Sequence, residues 1–291
     1  MPDRITDFRH LPLSNGFMFG QVMRDERLSK LFLEELLQKP IARVEHIDKE
    51  KDLADTLGAH GIRLDIYIED EQHTRYNIEM QCVNERNLER RVRYYQGGID
   101  RNSLERGGDY VDLPETYIIF ICDFDYCGAG LPIYERVSSF KGIDLPYEDG
   151  SHVFILNSRY KEPGEASESL LEFLHYVGSK DDQAPAAGEL TKLAKELVEE
   201  VRTDSKKEEE YMTFEMYLRD TRRQSLAEGE ARGIVKGRAE GRAEGRAEGE
   251  VSGQQKERRN MLRQMLANAS IVDVSRITGI PQEEIERIVK T

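Results

Sequence analysis

The chain has 291 residues and a net charge of −14 at pH 7, with 38% hydrophobic and 34% charged residues. This composition supports a core domain with an appendage, but no apolar run approaches the roughly 18 residues of a membrane span, and no secretory signal is expected. The acidic balance also disfavours nonspecific binding to a phosphate backbone, which relies on Lys and Arg.

Histidine and cysteine spacings exclude several other functional classes. The six histidines are scattered without a HExxH motif, and no G-x-x-x-x-G-K-[ST] loop is present, so zinc and nucleotide chemistry are not indicated. The three cysteines are an odd number without paired metal spacing. Cys82 and Cys122 lie in strand-like apolar runs and are predicted to be core residues in a reducing cytoplasm.

Two helices are predicted near the start of the chain. The first runs from about Gly16 to Met23, with Ser14 or Asn15 as its cap. The second runs from about residue 26 to 38, where apolar residues recur at helical spacing, and Pro40 follows its end.

A β-hairpin is predicted next. Residues 61–69 and 76–82 alternate apolar and polar side chains on either side of a polar break at 70–74. Such alternation is typical of two antiparallel strands joined by a short loop. A short strand at 44–47 precedes the hairpin. The apolar faces of the two arms consist of Ile62, Leu64, Ile66 and Ile68, and of Tyr76, Ile78, Met80 and Cys82.

The register of this hairpin opposes two acids. A loop centred near Gln72 sets Asp65 opposite Glu79, and directly opposed residues have Cβ atoms about 4.5–5.5 Å apart, where like charges are destabilising. The pattern alone leaves two interpretations open. Both carboxylates bind one hard divalent cation such as Mg²⁺, or both lie on a solvated outer face where their repulsion is small.

An arginine-rich helix is predicted at 84–104, behind the hairpin. Arginine forms the bidentate contacts that phosphate favours, so this helix is a candidate for binding a nucleic-acid backbone. The alternative is ion pairing with Glu85, Glu89 and other acids, each pair being worth little. Its arginines are Arg86, Arg90, Arg91, Arg93 and Arg101, and its apolar stripe is Leu88, Val92, Tyr95 and Ile99.

Two further strands complete the predicted core. Thr116–Phe124 is almost continuously apolar, as in a strand buried on both faces of a sheet. Another strand is predicted at 151–156. Strands with interspersed helices indicate an α/β domain with a mixed sheet flanked by helices, ending near residue 160.

The remaining chain is predicted to be helical, with helices around 170–177, 190–201 and 208–223. Glycine then occupies every fourth position from Gly229 to Gly253. Each glycine costs roughly 1 kcal/mol in a helix, so this repeat is either a marginal helix or a flexible tether. If it is helical, its glycine stripe permits close approach of a second helix, and hence self-association.

The C-terminal tail is predicted to contain three short helices, at 261–267, 272–277 and 282–289, similar to a helix-turn-helix. Glu283, Glu284 and Glu286 lie where base-reading residues would be, which favours dimerisation or capping over DNA reading. The predicted organisation is a core at 1–160, a helical extension at 161–225, the repeat tether at 226–255 and the small helical tail at 256–291.

Six segments resemble, in order and separation, the Rpn family of recombination-promoting nucleases, also described as PD-(D/E)XK-family transposases. These segments are 15–19, 63–67, 77–81, 91–95, 107–110 and 117–124. The similarity covers about residues 10–160, and more loosely the glycine-spaced repeat. Asp65, followed by Glu79-x-Gln81, resembles the superfamily motif, with Gln81 in the usual lysine position.

The resemblance implies a restriction-endonuclease-like fold and hydrolysis of DNA phosphodiesters with bound Mg²⁺ or another divalent cation. It places Asp65, Glu79 and Gln81 at the catalytic centre. The cation ligands that it implies are Asp65, Glu79 and the backbone carbonyl of Met80.

Two additional sets of residues are candidates through the same resemblance. Arg91, Arg93 and Tyr94 match the family within the arginine-rich helix and are expected to contact DNA. Some relatives add an acid to the metal from an early helix, which makes Glu34 and Glu35 candidates; a solvated helix face is the alternative for both.

The expected function is a metal-dependent DNA endonuclease in recombination or mobile-element activity, cytoplasmic, and homo-oligomeric through its C-terminal helical region. A lysine at position 81 would supply positive charge or help orient water, whereas Gln81 can only hydrogen-bond. The alternative is therefore a catalytically silent nuclease-fold protein that acts in DNA binding or assembly.

Overall fold

Helices surround a group of strands in the first two thirds of the chain. The computed structural model describes residues 7–52, 63–179 and 186–290; Gly61 and Ile62 of the predicted hairpin lie outside them. The described elements are α1 (Gly16–Val22), α2 (Glu26–Leu37), β1 (Val44–Asp52), β2 (Arg63–Asp70), β3 (Arg75–Gln81), α3 (Leu88–Ser103), β4 (Thr116–Cys122), β5 (Ile133–Glu135), β6 (Ser151–Asn157), α4 (Glu168–Ser179), α5 (Glu189–Thr203), α6 (Ser205–Leu266), α7 (Ile271–Thr278) and α8 (Gln282–Lys290).

The two N-terminal helices begin at side-chain caps. The side chain of Asn15 accepts hydrogen bonds from the backbone N–H groups of Phe17 and Met18, at 3.0 and 3.3 Å. Asp25 caps α2 in the same way. Such caps satisfy N–H groups that have no partner within the helix. Helix α2 ends before Gln38, which adopts a left-handed φ of 51°. Both predicted helices are confirmed, with boundaries shifted by one residue.

The strands in the described residues form one six-stranded mixed sheet in the order β1-β2-β3-β4-β6-β5. The first three strands are antiparallel, β3, β4 and β6 are parallel, and β5 is antiparallel to β6. The hairpin pairs Ile66 with Ile78, so its register is centred on Gln72, as predicted. The Asp70 carboxylate closes the turn by accepting the backbone N–H groups of Gln72 and Thr74.

Helices cover both faces of the sheet. On one face, residues of α1, α2, α4 and α5 share a core with Ile66 and Ile78. On the other face, α3 packs through Val92 and its neighbours against Tyr67 and Phe120. Strand β4 is buried along its whole length, as its continuous apolar sequence predicted. The predicted mixed sheet flanked by helices is confirmed.

Four local features differ from the expectations. The polar face of the hairpin is not solvated: Asn77 and Glu79 are buried, because α3 packs over this face. Leu64 packs in the α3 cluster and not with Ile66. Cys82 is exposed, and was wrongly predicted as a core residue, because β3 ends one residue before it. Strand β5 was not predicted, since three residues are too few to show alternation.

The glycine-spaced repeat is helical, because α6 runs without interruption from Ser205 to Leu266. The chain divides into two compact units, the first ending at Glu215 and the second beginning at Met216. Helices α4 and α5 and Tyr211 contribute to the larger core cluster of the first unit. The predicted boundaries at 160, 225 and 255 stay predictions.

The second unit ends in a small three-helix cluster. The end of α6 packs with α7 and α8 through Leu262, Val274 and Ile285. Ser270 caps α7, and Gly279 ends it with a φ of 71°. The predicted tail helices are therefore confirmed, the first of them as the end of α6. Among the described helices, none combines the length and the apolar character needed to cross a membrane.

We expect alanine to stabilise the repeat helix. A Cβ atom at Gly237 or Gly241 would meet no atom within 4 Å, and each Gly→Ala change in a helix interior is worth about 1 kcal/mol. The double variant Gly237→Ala/Gly241→Ala should therefore increase thermal stability and the helical circular dichroism signal of the full chain. The control is Gly178→Ala, whose Cβ would lie 2.6 Å from the backbone oxygen of Ser158 and should lower the melting temperature. Unchanged helicity and stability in the double variant would contradict a helical repeat.

Candidate active site

The two strands of the hairpin separate at the end opposite the turn. Pairing between β2 and β3 extends only to Ile66 and Ile78. Beyond this point β2 continues to pair with β1, and β3 continues to pair with β4. Each strand is thus held by its other neighbour, and a gap opens between them. Asp65 and Glu79 are the next residues on the two sides of this gap.

The carboxylates of Asp65 and Glu79 bridge the gap. The backbone N–H of Asp65 donates to Glu79 Oε1 at 3.1 Å, and the backbone N–H of Met80 donates to Asp65 Oδ2 at 3.2 Å. The Asn77 side-chain amide also donates to Glu79 Oε1, at 3.2 Å. Each carboxylate therefore accepts an N–H group of the opposite strand, which satisfies backbone donors between the separated strands. The two acids therefore lie on either side of the gap, each bound to the backbone of the opposite strand.

Glu79 is almost completely buried, with 1% of its surface exposed. Removal from water and the negative charge of Asp65 raise the pKa of the Glu79 carboxyl to about 8. The hydrogen bond from the Asp65 N–H and the positive charge of Arg91 lower this pKa, but they do not offset the effect of burial. The gap is therefore a place where negative charge is costly and where an added cation would be stabilised.

Arg91 contacts both motif side chains of β3. It donates from Nη2 to Glu79 Oε2 at 3.0 Å and from Nη1 to Gln81 Oε1 at 2.6 Å. The hydroxyl of Tyr95, one helical turn later, accepts hydrogen bonds from Nε and Nη2 of the same guanidinium, at 3.2 and 2.7 Å. The rings of Tyr95 and Phe120 have centroids 5.3 Å from the guanidinium carbon.

Packing of α3 determines where Arg91 lies. The buried stripe of this helix includes Leu88, Val92 and Ile99, which dock it against the sheet. Burial and the nearby charge of Glu79 raise the pKa of the Tyr95 hydroxyl, so it stays protonated at neutral pH. The helix begins at Leu88, four residues later than predicted.

The structure divides the predicted DNA-binding residues into two groups. Arg91 contacts Glu79 in the gap, whereas Arg93 and Tyr94 are exposed on α3. Met80 is buried in the larger core through its side chain, and its backbone N–H binds Asp65.

The early helix does not contribute its acids to the gap. Glu34 accepts a hydrogen bond from the backbone N–H of Ile41, and Glu35 accepts one from the hydroxyl of Ser167. Within the described parts of the chain, no group of three or more His, Cys, Asp or Glu side chains is arranged to bind a metal ion.

Sequence reasoning missed the contributions of Asn77 and Tyr95 to the site. Asn77 lies two residues before Glu79 and thus on the same strand face, and Tyr95 lies four residues after Arg91 and thus on the same helix face. These spacings were visible, but a polar strand residue and a helical tyrosine are usually explained by solvation and by core packing. Only the docking of α3 on β3 and β4 brings the two residues to the acids.

The raised pKa of Glu79 makes stability depend on pH. The folded-state pKa of about 8 lies above the ordinary value of 4.5. Between these two pH values, the folded state therefore binds more protons than the unfolded state. The protonated carboxyl contributes full stability below about pH 4.5, and this contribution is lost as pH rises towards 8. The unfolding free energy of the wild type, relative to Glu79→Gln, should therefore fall across this window in urea titrations with chelator present. Glu69→Gln on β2 is the matched control, and a difference independent of pH would contradict the raised pKa.

Comparison with protein-family models gives a match over part of the chain. Residues 16–132 match a family model described as PD-(D/E)XK nuclease family transposase. No curated protein and no solved structure matches the chain. The matched segment runs from α1 to the end of the loop before β5 and contains both acids, Gln81 and Arg91. The mixed sheet between helices fits the restriction-endonuclease-like fold of this superfamily. Over residues 16–132, the chain is similar to the PD-(D/E)XK nuclease family transposases.

Proposed function

We propose that this protein is a metal-dependent DNA endonuclease that hydrolyses phosphodiester bonds. The observation that carries the proposal is the placement of Asp65 and Glu79 together in the gap between β2 and β3. The gap lies within the segment that matches a nuclease family. We further propose that Asp65, Glu79 and Gln81 form the catalytic centre.

The residues of the gap suit a hard divalent cation. PD-(D/E)XK nucleases generally use divalent metal ions. Mg²⁺ binds through one or two carboxylates and retains several waters, which agrees with two paired acids and, among the described residues, no third. We assign Asp65, Glu79 and the backbone carbonyl of Met80 as ligands. Mg²⁺ is the expected ion, and other divalent cations are alternatives.

The chain's own contribution is to hold these ligands in place before substrate binds. Asp65 is fixed by the Met80 N–H, and Glu79 by the Asp65 N–H and by Asn77. Such fixed donors reduce the reorganisation that the reaction requires. A bound divalent cation would supply Lewis acidity towards the scissile phosphate. Helix α3 covers this face of the sheet, and thus limits the access of water to Glu79.

DNA contact is assigned to the N-terminal half of α3. Arg93 and Tyr94 are exposed there, and 47% of the Tyr94 surface is accessible. Arginine suits phosphate oxygens, and an exposed aromatic ring can stack on a base. Arg91 lies on the gap side of the same helix turn. The family description supports a role in recombination or mobile-element activity.

Assembly and location are further parts of the proposal. The long helix α6 exposes apolar side chains, including Met216, Tyr217 and Val235, and we propose that this C-terminal helical region mediates homo-oligomer formation. A cytoplasmic location agrees with a DNA substrate.

A second function is favoured by one observation. Arg91 already binds Glu79 Oε2, and the lysine position holds Gln81. A catalytically silent nuclease-fold protein, acting in DNA binding or assembly, would keep this internal ion pair without binding a metal. Mg²⁺ titration separates the two functions, because a ligand that binds only the folded state raises its stability.

We expect the two acids to be essential for cleavage. Asp65→Ala and Glu79→Ala should abolish the nicking of supercoiled DNA in Mg²⁺, because each removes a ligand of the cation. Glu69→Ala, on the same strand but outside the gap, should cleave like the wild type. Circular dichroism should show that all three variants remain folded.

Thermal unfolding in the presence of Mg²⁺ provides an independent test of the same proposal. Millimolar Mg²⁺ should raise the melting temperature of the wild type and of Glu69→Ala, but not that of Asp65→Ala. Equal cleavage by the wild type and Asp65→Ala would rule out the proposed site. The absence of both cleavage and a thermal shift in the wild type would favour the silent function.

A further inference from the structure

The site contains a glutamine where the motif carries a lysine, and an arginine from the next helix lies against it. Arg91 donates one hydrogen bond to Gln81 and one to Glu79. Its positive charge therefore lies beside both the motif acid and the lysine position. Helix α3 places a cation where strand β3 carries only an uncharged amide.

The guanidinium of Arg91 is held in one orientation. Its side chain is only 24% exposed, and the Tyr95 hydroxyl accepts hydrogen bonds from Nε and Nη2. Arginine has five N–H groups, and the four hydrogen bonds within the described residues leave one N–H on Nη1 for an incoming ligand. A fixed cation in a water-poor site stabilises developing charge more strongly than a solvated one.

We propose that Arg91 is a catalytic residue that replaces the motif lysine, with Gln81 and Tyr95 as its positioning residues. The remaining Nη1–H would donate to a non-bridging oxygen of the scissile phosphate. This inference rests on the proposed nuclease function. In this inference, Arg91 on α3 supplies the positive charge that a lysine at position 81 would supply and that Gln81 lacks.

Arg91 acts in this scheme by its charge alone. During hydrolysis the oxygen of a water molecule bonds to phosphorus and its proton passes to solvent, while the bond from phosphorus to the leaving oxygen breaks and that oxygen takes up a proton from solvent. Negative charge builds on the non-bridging oxygens, close to the guanidinium. Arginine is not deprotonated in proteins, so Arg91 neither gives nor takes a proton.

Two simpler roles make different predictions. If Arg91 only neutralises Glu79, its removal lowers folding stability and leaves the chemical step of the folded protein intact. If Arg91 only binds DNA, its removal raises the dissociation constant and leaves the rate at saturation unchanged. A catalytic cation instead changes the rate at saturation, and a cation placed on β3 should partly replace it.

A charge swap between helix and strand tests the inference. The variants are Arg91→Met, Gln81→Lys and the double variant, measured in single-turnover cleavage of supercoiled DNA with Mg²⁺ and saturating protein. Arg91→Met should lower the rate constant about 100-fold, as for loss of one preorganised donor. Adding Gln81→Lys to this variant should restore the rate about tenfold, because a lysine then supplies the charge from the strand. DNA affinity, measured with Ca²⁺, should stay within about threefold of the wild type, because a single buried cation contributes little to backbone binding.

Arg202→Met provides a matched control, because Arg202 is also a buried arginine that binds a glutamate and a backbone carbonyl. This change should lower thermal stability and leave the cleavage rate of the folded protein unaltered. If Arg91→Met does not fold, the test uses Arg91→Lys and Gln81→Leu instead. Arg91→Lys keeps the positive charge but loses the guanidinium geometry, and Gln81→Leu removes the hydrogen bond that positions Arg91. Each should lower the rate about tenfold without weakening DNA binding.

The inference is overturned if the loss in Arg91→Met comes only from weaker DNA binding, or if Gln81→Lys gives no rescue. Wild-type rates in Arg91→Lys and Gln81→Leu would overturn it as well. If the wild type cleaves and Arg91→Met cleaves equally, only this inference fails. If the wild type cleaves no DNA with any divalent cation, the proposed function fails together with this inference.

Calorimetric titration with Ca²⁺ adds a measurement that does not depend on cleavage. Arg91→Met should bind Ca²⁺ more tightly than the wild type, because a neighbouring positive charge has been removed.

Discussion

The separation of β2 from β3 is the constraint on which the candidate site depends. Antiparallel strands usually satisfy each other's backbone groups, but here each strand is held by its outer neighbour, β1 or β4. The N–H groups of Asp65 and Met80 then turn to the carboxylates of Glu79 and Asp65. The acids are consequently part of the structure of the sheet. Their positions follow from backbone pairing, which is more rigid than a loop.

Burial of Glu79 creates an electrostatic problem that the fold solves only in part. A buried carboxylate is destabilised unless it is paired and hydrogen-bonded. Asn77, a backbone N–H and Arg91 provide such partners, yet the raised pKa shows that they do not fully compensate for the loss of water. A site in this condition gains from binding another cation. The same imbalance that weakens the folded protein at high pH thus favours metal binding.

The sequence predicted the elements of the fold because its periodicity is strong. The alternation in the hairpin gave both strands and the register that opposes Asp65 to Glu79, and the continuous apolar run of β4 gave a strand buried on both faces. The sequence could not predict which face of the hairpin α3 covers, because the same alternation is found whether the polar face is solvated or buried.

The contact between Arg91 and Gln81 was also beyond prediction from sequence. The two residues lie on different elements, and their meeting depends on how α3 docks through Val92 and its neighbours. The helical repeat was ambiguous for a different reason. Each glycine costs roughly 1 kcal/mol and each Glu–Arg pair returns only a few tenths, so propensity alone predicts a marginal helix or a flexible tether.

The acidic net charge of −14 does not determine the field that a phosphate would meet at the gap. Charges farther than about 8 Å are largely screened at physiological ionic strength, so the charges close to the gap, among them the two acids and Arg91, have more effect there than the net charge of the chain. Burial and the negative charge of Asp65 raise the pKa of the Glu79 carboxyl, so negative charge on this side chain is costly in the gap. A divalent cation in the gap would add positive charge beside both acids and would favour the ionised form of Glu79. The electrostatic field at the gap is therefore determined by these nearby charges and not by the net charge of the chain.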